Sequence, residues 1–149
     1  MDENDIQILI DGTIHYFRST VGQSTEVGAP YLVENREPVV SDFTGVIMIS
    51  GVYTGCVYFT APRAMLRHIL MVNGETRADA EFMADVVGEV ANTISGNARR
   101  HFGSEFEISV PDVFEGGAGD GKLDLAERSF VIPITWRQYR ASLVVSLID

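Results

Sequence analysis

The sequence predicts an α+β fold (α/β in the broad sense), with helices packed on an antiparallel or mixed sheet, and three observations predict it. Residues 82–102 carry apolar side chains at helical spacing. Residues 46–49 and 56–59 are two β-rich runs around a glycine-containing connection. Two halves, 4–73 and 77–149, each begin with a helix and continue into antiparallel strands, which reads as an internal duplication. No linker divides them, so residues 1–149 read as one domain, long enough to bury roughly 68–70% of its unfolded surface.

The elements follow in order. Residues 4–18 place Ile6, Ile8, Leu9, Ile10, Ile14 and Phe17 in a pattern open to helix or strand. Asp5 as a cap, with the charged Asp11 and Arg18, favours a helix. Residues 22–42, holding Gly22, Gly28, Pro30, Pro38 and several acids, read as irregular or edge structure. The hairpin comes next, its connection at 50–55. Thr60 before Ala61 and Pro62 reads as an N-cap with proline in the first turn. That helix runs through Met65, Leu66, Ile69 and Leu70 and stops near Asn73 and Gly74. A longer helix spans about 77–102. Strands are expected at 106–110, 128–136 and 139–148, the last two as a hairpin, with a flexible glycine-rich connection at 115–121.

Composition excludes several functions. A formal charge of −10 argues against nucleic acid or anionic membrane as a main partner. No block of like charges stands out, so the acidity reads as a dispersed surface. The start of the chain has no basic n-region, and no apolar run approaches the ~20 residues of a membrane span. The lone Cys56 cannot form an internal disulfide, and no glycosylation sequon occurs. These features together predict a cytoplasmic protein.

Chemistry concentrates on the long helix. Projection at about 100° per residue puts Phe82, Met83, Val86, Val87, Val90, Ile94 and Ala98 on one apolar arc. Asp85, Glu89, Asn92 and Gly96 fall on one flank, while Asn97 turns towards the arc. Glu89 and Asn92 lie at i and i+3, about 60° apart around the axis and roughly 4.5 Å along it. An acid and an amide held that way can grip a cation and aim a water. Gly96 costs roughly 1 kcal/mol against alanine and clears bulk beside the pair. An acid and an amide at this spacing also arise by chance on solvated faces, so spacing alone leaves both readings open.

The run Val87-Gly88-Glu89-Val90-Ala91-Asn92-Thr93-Ile94-Ser95-Gly96-Asn97-Ala98 resembles the signature helix of the CheC/CheX/FliY family of chemotaxis phosphatases, which dephosphorylate the response regulator CheY. That pattern is an acid, two other residues, an Asn, then small residues within two turns. The resemblance covers most of the chain and implies a CheC-like fold, a pseudo-duplicated helix plus antiparallel strands. CheC-type members carry the pattern twice. Here the compared region of the first helix, Ile10-Asp11-Gly12-Thr13-Ile14, has an acid but no amide three residues on. A single motif resembles CheX, and a homodimer is implied by that likeness.

The resemblance also implies roles. Asn92 would orient the water that attacks an aspartyl phosphate, and Glu89 would pair with the receiver's lysine. Asp85 and Gly96 would support the contact. Mg²⁺ would be supplied by the receiver, whose own carboxylates hold it, so the chain needs no cofactor of its own. An alternative from the same superfamily is a non-catalytic receiver-binding or flagellar-switch-type interaction domain. His15, His68 and His101 are scattered without ligand spacing, and no metal site is expected. Gly117, Gly119 and Gly121 lack the flanking strand and helix of a phosphate cradle. Cys56 reads as a small buried hydrophobe. Arg99 and Arg100 suit a helix C-terminus, with contact to an acidic receiver surface as the lesser reading.

Overall fold

The computed structural model describes residues 2–22, 25–34, 39–116 and 128–148. In it α1 (Glu3–Thr20), α2 (Arg63–Val72) and α3 (Ala80–Phe102) pack on an eight-stranded antiparallel sheet. The strands are β1 (Thr25–Val27), β2 (Tyr31–Glu34), β3 (Phe43–Gly51), β4 (Thr54–Ala61), β5 (Phe106–Ile108), β6 (Asp112–Glu115), β7 (Arg128–Trp136) and β8 (Tyr139–Ile148). Among the described residues, no helix is long and apolar enough to cross a membrane.

The sheet runs β1-β7-β8-β4-β3-β5, with β2 also on β7 and β6 also on β3. This order reads the same from both ends when the halves are exchanged. Each half forms a long hairpin and lends two short strands to the other half's hairpin. The hairpins meet where β4 pairs with β8, Tyr58 opposite Val144. The duplication therefore exists as a strand exchange, which binds the halves into one sheet.

Two layers of core follow. Beneath the helices, Leu9, Phe17, Ile47, Val57, Phe59, Leu66, Met83, Val90, Ile94 and Trp136 form one buried cluster. Val46, Cys56, Tyr58, Phe114, Val131 and Val144 form a second cluster. Cys56 is fully buried there, as a small hydrophobe. Tyr58 donates its hydroxyl to the Val39 carbonyl at 2.8 Å, tying residue 39 to the second cluster.

Several boundaries differ from the sequence reading. Asp2, not Asp5, caps α1: its side chain accepts from the Asp5 amide at 2.9 Å, and Asp5 reaches back to the Asp2 amide. Thr60 is no cap. It stays in β4, where its buried hydroxyl meets Thr44 at 2.9 Å and takes the Ser41 amide at 2.7 Å. Pro62 stands at the N-cap of α2 without a side-chain bond. The hairpin strands extend to Gly51 and Thr54, leaving Val52 and Tyr53 as the turn. Strand β6 was not expected from the sequence. Of the expected 115–121 connection, residues 117–121 lie outside the described residues.

Candidate functional site

Helix α3 begins at Asp79, whose carboxylate accepts the Phe82 amide at 3.0 Å and is held by Arg77. The Arg77 guanidinium holds the Asp79 carboxyl below the ordinary carboxylate range, which suits an anion at a helix N-terminus. The helix ends at Gly103, with φ 91°. Between these caps its buried face is Met83, Val86, Val87, Val90, Ala91, Ile94 and Ala98.

A backbone contact sets the height of this helix over the sheet. A methyl on Gly45 of β3 would overlap the Val87 carbonyl oxygen and lie 2.7 Å from the Gly88 nitrogen. A methyl on Gly88 would lie 3.0 Å from Val113 of β6. Helix and strand thus touch main chain to main chain immediately before Glu89. Sequence reasoning missed this seat, although a glycine inside a strand is a signal of close backbone approach.

Outward from that seat, Asp85, Glu89 and Asn92 are exposed, and Gly96 is half-buried. All four share one helical stripe, as the projection predicted. Neither the Glu89 nor the Asn92 side chain has a hydrogen-bond or ion-pair partner among the described residues. Above Gly96 nothing lies within 4 Å of where a Cβ would stand. The stripe therefore presents a carboxylate and a carboxamide to the outside, with room beside them for another molecule.

Helix α1 supplies the wall that sequence reasoning missed. It runs antiparallel to α3, pinned where Tyr53 bonds Asp5 at 2.5 Å and stacks edge-on against Phe102. Gly12 faces Asn97 across the crossing, 3.4 Å from its amide nitrogen to a notional Cβ. Beside Asn92 this leaves a groove of about 390 Å³ lined by Gly12, His15, Tyr16, Thr93, Gly96 and Arg100, among others. A second groove of about 430 Å³ lies on the other side of Gly96, against Arg99, Arg100, Ser104 and Ile108. Burial first, and the Glu89 charge second, push the Tyr16 phenol up to about 12. It stays neutral beside Glu89 at any ordinary pH. No local pattern marks His15 or Tyr16, because only the helix crossing brings them to Asn92.

The other singled-out residues stand apart from this stripe. His68 contacts the Tyr139 hydroxyl at 3.1 Å and packs edge-on against Trp136, a structural setting. His101 is exposed in the last turn of α3.

Comparison with known proteins identifies the family and the fold. A family model described as "Chemotaxis phosphatase CheX" matches residues 43–135. No curated protein matches the chain. Among solved structures it is similar to a chemotactic CheC-like protein from Shewanella oneidensis MR-1, with a TM-score of 0.83 and 21% identity, covering 99% of this chain and 100% of that one. It is also similar to chemotaxis protein CheX from Vibrio vulnificus, with a TM-score of 0.79 and 18% identity over 97% and 99% of the two chains. A third likeness is to a structure of the CheX–CheY–BeF₃–Mg²⁺ complex from Borrelia burgdorferi, with a TM-score of 0.78 and 17% identity over 97% of each chain. At these identities the likeness establishes the CheC-like fold.

Proposed function

The chain belongs to the CheX family of chemotaxis phosphatases, and from that premise we propose that it hydrolyses the aspartyl phosphate of a phosphorylated CheY-like receiver domain. One observation carries the reading. Glu89 and Asn92 stand one turn apart on a helix face without partners among the described residues, next to the cleared space over Gly96.

An acyl phosphate is already activated, so the phosphatase needs no nucleophile of its own. It must hold a water in line with the phosphorus–oxygen bond to be broken. The Asn92 carboxamide donates and accepts hydrogen bonds without titrating, so it can aim that water at any working pH. Glu89 pairs with the receiver's lysine and sets the register of α3 in the receiver's pocket. Asp85, one turn earlier, adds to the acidic end of the stripe. The Mg²⁺ is the receiver's, held by its own carboxylates, and neutralises charge on the phosphoryl oxygens. The Gly45–Gly88 seat fixes the height at which the pair projects.

The test is the decay of a phosphorylated receiver with and without the protein. Acceleration is expected, abolished by Asn92→Ala with binding largely retained, and Glu89→Ala weakens both. Binding without acceleration supports an interaction domain of the flagellar-switch type instead. We also propose a homodimer; a scattering mass equal to one chain would contradict it.

A further inference from the structure

The active stripe does not end at Gly96. Asn92, Gly96 and Arg100 follow one another at four-residue steps, with Arg99 alongside. Arg100 lines both grooves that flank Gly96, and Arg99 lines the second. The chain carries 21 acids against 11 lysines and arginines. Arg99 and Arg100 are exposed and, like Arg18, Arg67, Arg137 and Arg140, have no carboxylate partner among the described residues; what sets these two apart is their place at the grooves beside Gly96, on the helix that carries Glu89 and Asn92. The stripe is thus bipolar: Asp85 and Glu89 make one end negative, and the two arginines make the other positive.

A receiver's phosphorylation pocket offers charges of both signs, a lysine on one side and, on the other, carboxylates whose charge the bound Mg²⁺ offsets only in part. We propose that Arg99 and Arg100 form a docking surface for the acidic rim of that pocket, setting the polarity and affinity with which α3 enters it. This rests on the receiver-phosphatase reading above. With Glu89 on the lysine, a receiver seated over Asn92 lies about 12 Å along the helix from Arg100, at 1.5 Å per residue. A guanidinium reaching back along the stripe covers much of that distance and meets the carboxylate side of the rim. Opposite charges at both ends allow one orientation and oppose the reverse. The arginines also complement the dipole at the end of α3. A role confined to the dipole lowers the melting temperature and leaves affinity unchanged, so the two roles separate.

The experiment measures KM and kcat on a CheY-like receiver phosphorylated with acetyl phosphate. It also measures Kd for the same receiver in its beryllofluoride–Mg²⁺ form, at low and high salt. Arg99→Gln with Arg100→Gln is expected to raise KM and Kd about tenfold, hold kcat within about twofold and flatten the salt dependence. The paired change to Lys, which keeps the charge, returns KM to within about threefold of the parent. If the Gln pair unfolds, Arg100→Gln alone carries the same test with a smaller shift. Unchanged KM, Kd and salt dependence in a variant that folds overturn the docking surface while leaving the phosphatase reading intact. A parent protein that neither binds nor accelerates any host receiver overturns the phosphatase reading itself.

Discussion

Helices α1 and α3 share one pattern of buried residues, and they differ along the stripe proposed to act. Their buried residues align: Ile6, Leu9 and Thr13 match Ala91, Ile94 and Ala98 at the same spacings, and Gly12 meets Asn97 at the crossing. In this register Asn4 and Gln7 take the places of Glu89 and Asn92, and Asp11 takes the place of Gly96. The first-half counterpart therefore lies nearer the helix start than the sequence comparison with Asp11 placed it. It has lost the acid, carries an amide one methylene longer, and is closed. The Gln7 amide donates to Asp11 at 2.8 Å across the position that Gly96 leaves open. The neighbouring groove is bounded by Ile6, Ile10, Pro30 and Phe130, with acids at its lip. One fold thus holds a pair that is open and without partners among the described residues, and a self-satisfied one, and the two differ at three positions of the stripe.

Moving those side chains gives the largest expected effect. Writing α1's residues into α3, as Glu89→Asn with Asn92→Gln, should cut receiver dephosphorylation by about a hundredfold or more, the scale of losing one water-orienting or charge-positioning group. The reverse graft, Asn4→Glu, Gln7→Asn and Asp11→Gly in an Asn92→Ala chain, should bring decay back above the spontaneous rate. Receiver decay followed by phosphate release reads both. A graft that folds and binds but stays inert shows that the α1 groove differs from the α3 groove in more than these residues.

The seat of α3 comes next. Gly45→Ala forces a methyl into the Val87 carbonyl, and overpacking of this kind costs about 1–3 kcal/mol. Urea unfolding should show that loss, and turnover should fall further than stability because Glu89 shifts with the backbone. A Gly45→Ala variant as stable and as active as the parent would show that the seat does not fix the pair.

What was legible in the sequence follows the same division. Helix α3 was legible with its stripe, because a long amphipathic helix sorts Glu89, Asn92 and Gly96 to one flank by period alone. The two long hairpins were legible for the same reason. Strand β6 was not, since four residues after Pro111, half of them acidic, hold no pattern of their own and pair only because β3 offers an edge. Thr60 was misread because its local sequence suits a cap, while its buried bond to Thr44 keeps it in the sheet. The α1 wall and the register of the duplication were invisible, because both depend on how two helices cross.

Tyr16 makes that crossing measurable. Its pKa is raised to about 12 from 10, by burial first and Glu89 second, so the folded protein keeps the phenol's proton where the unfolded chain loses it. The stabilising difference, about 2–3 kcal/mol, is complete below pH 10 and is lost as pH rises from 10 to 12. Tyr16→Phe should flatten the stability curve in that window by a similar amount, and Glu89→Gln should flatten it less. The matching residue on α3, His101, is exposed, so its replacement should leave the window unchanged. Chemical denaturation across roughly pH 9 to 12 distinguishes these outcomes. If Glu89→Gln flattens the curve as much as Tyr16→Phe, charge and not burial dominates at the crossing.

Ser95 gives the smallest effect and the finest test of equivalence. It is fully buried between the Ala91 and Ala98 turns, and its hydroxyl has no hydrogen-bond partner among the described residues. The matching α1 residue is Ile10, half-buried and apolar. A buried hydroxyl without a partner disfavours the folded state, and serine is a poorer helix former than alanine. Ser95→Ala should therefore raise stability by about 0.5–1 kcal/mol with receiver turnover unchanged, since the side chain points away from the stripe. Ser95→Ile, the α1 residue, should instead destabilise, because Ser95 is fully buried where Ile10 is only half-buried, and the larger side chain would overpack that position. If thermal melts put the Ser95→Ala variant below the parent, the hydroxyl has a stabilising partner, and the two helices differ at this layer in bonding as well as in volume.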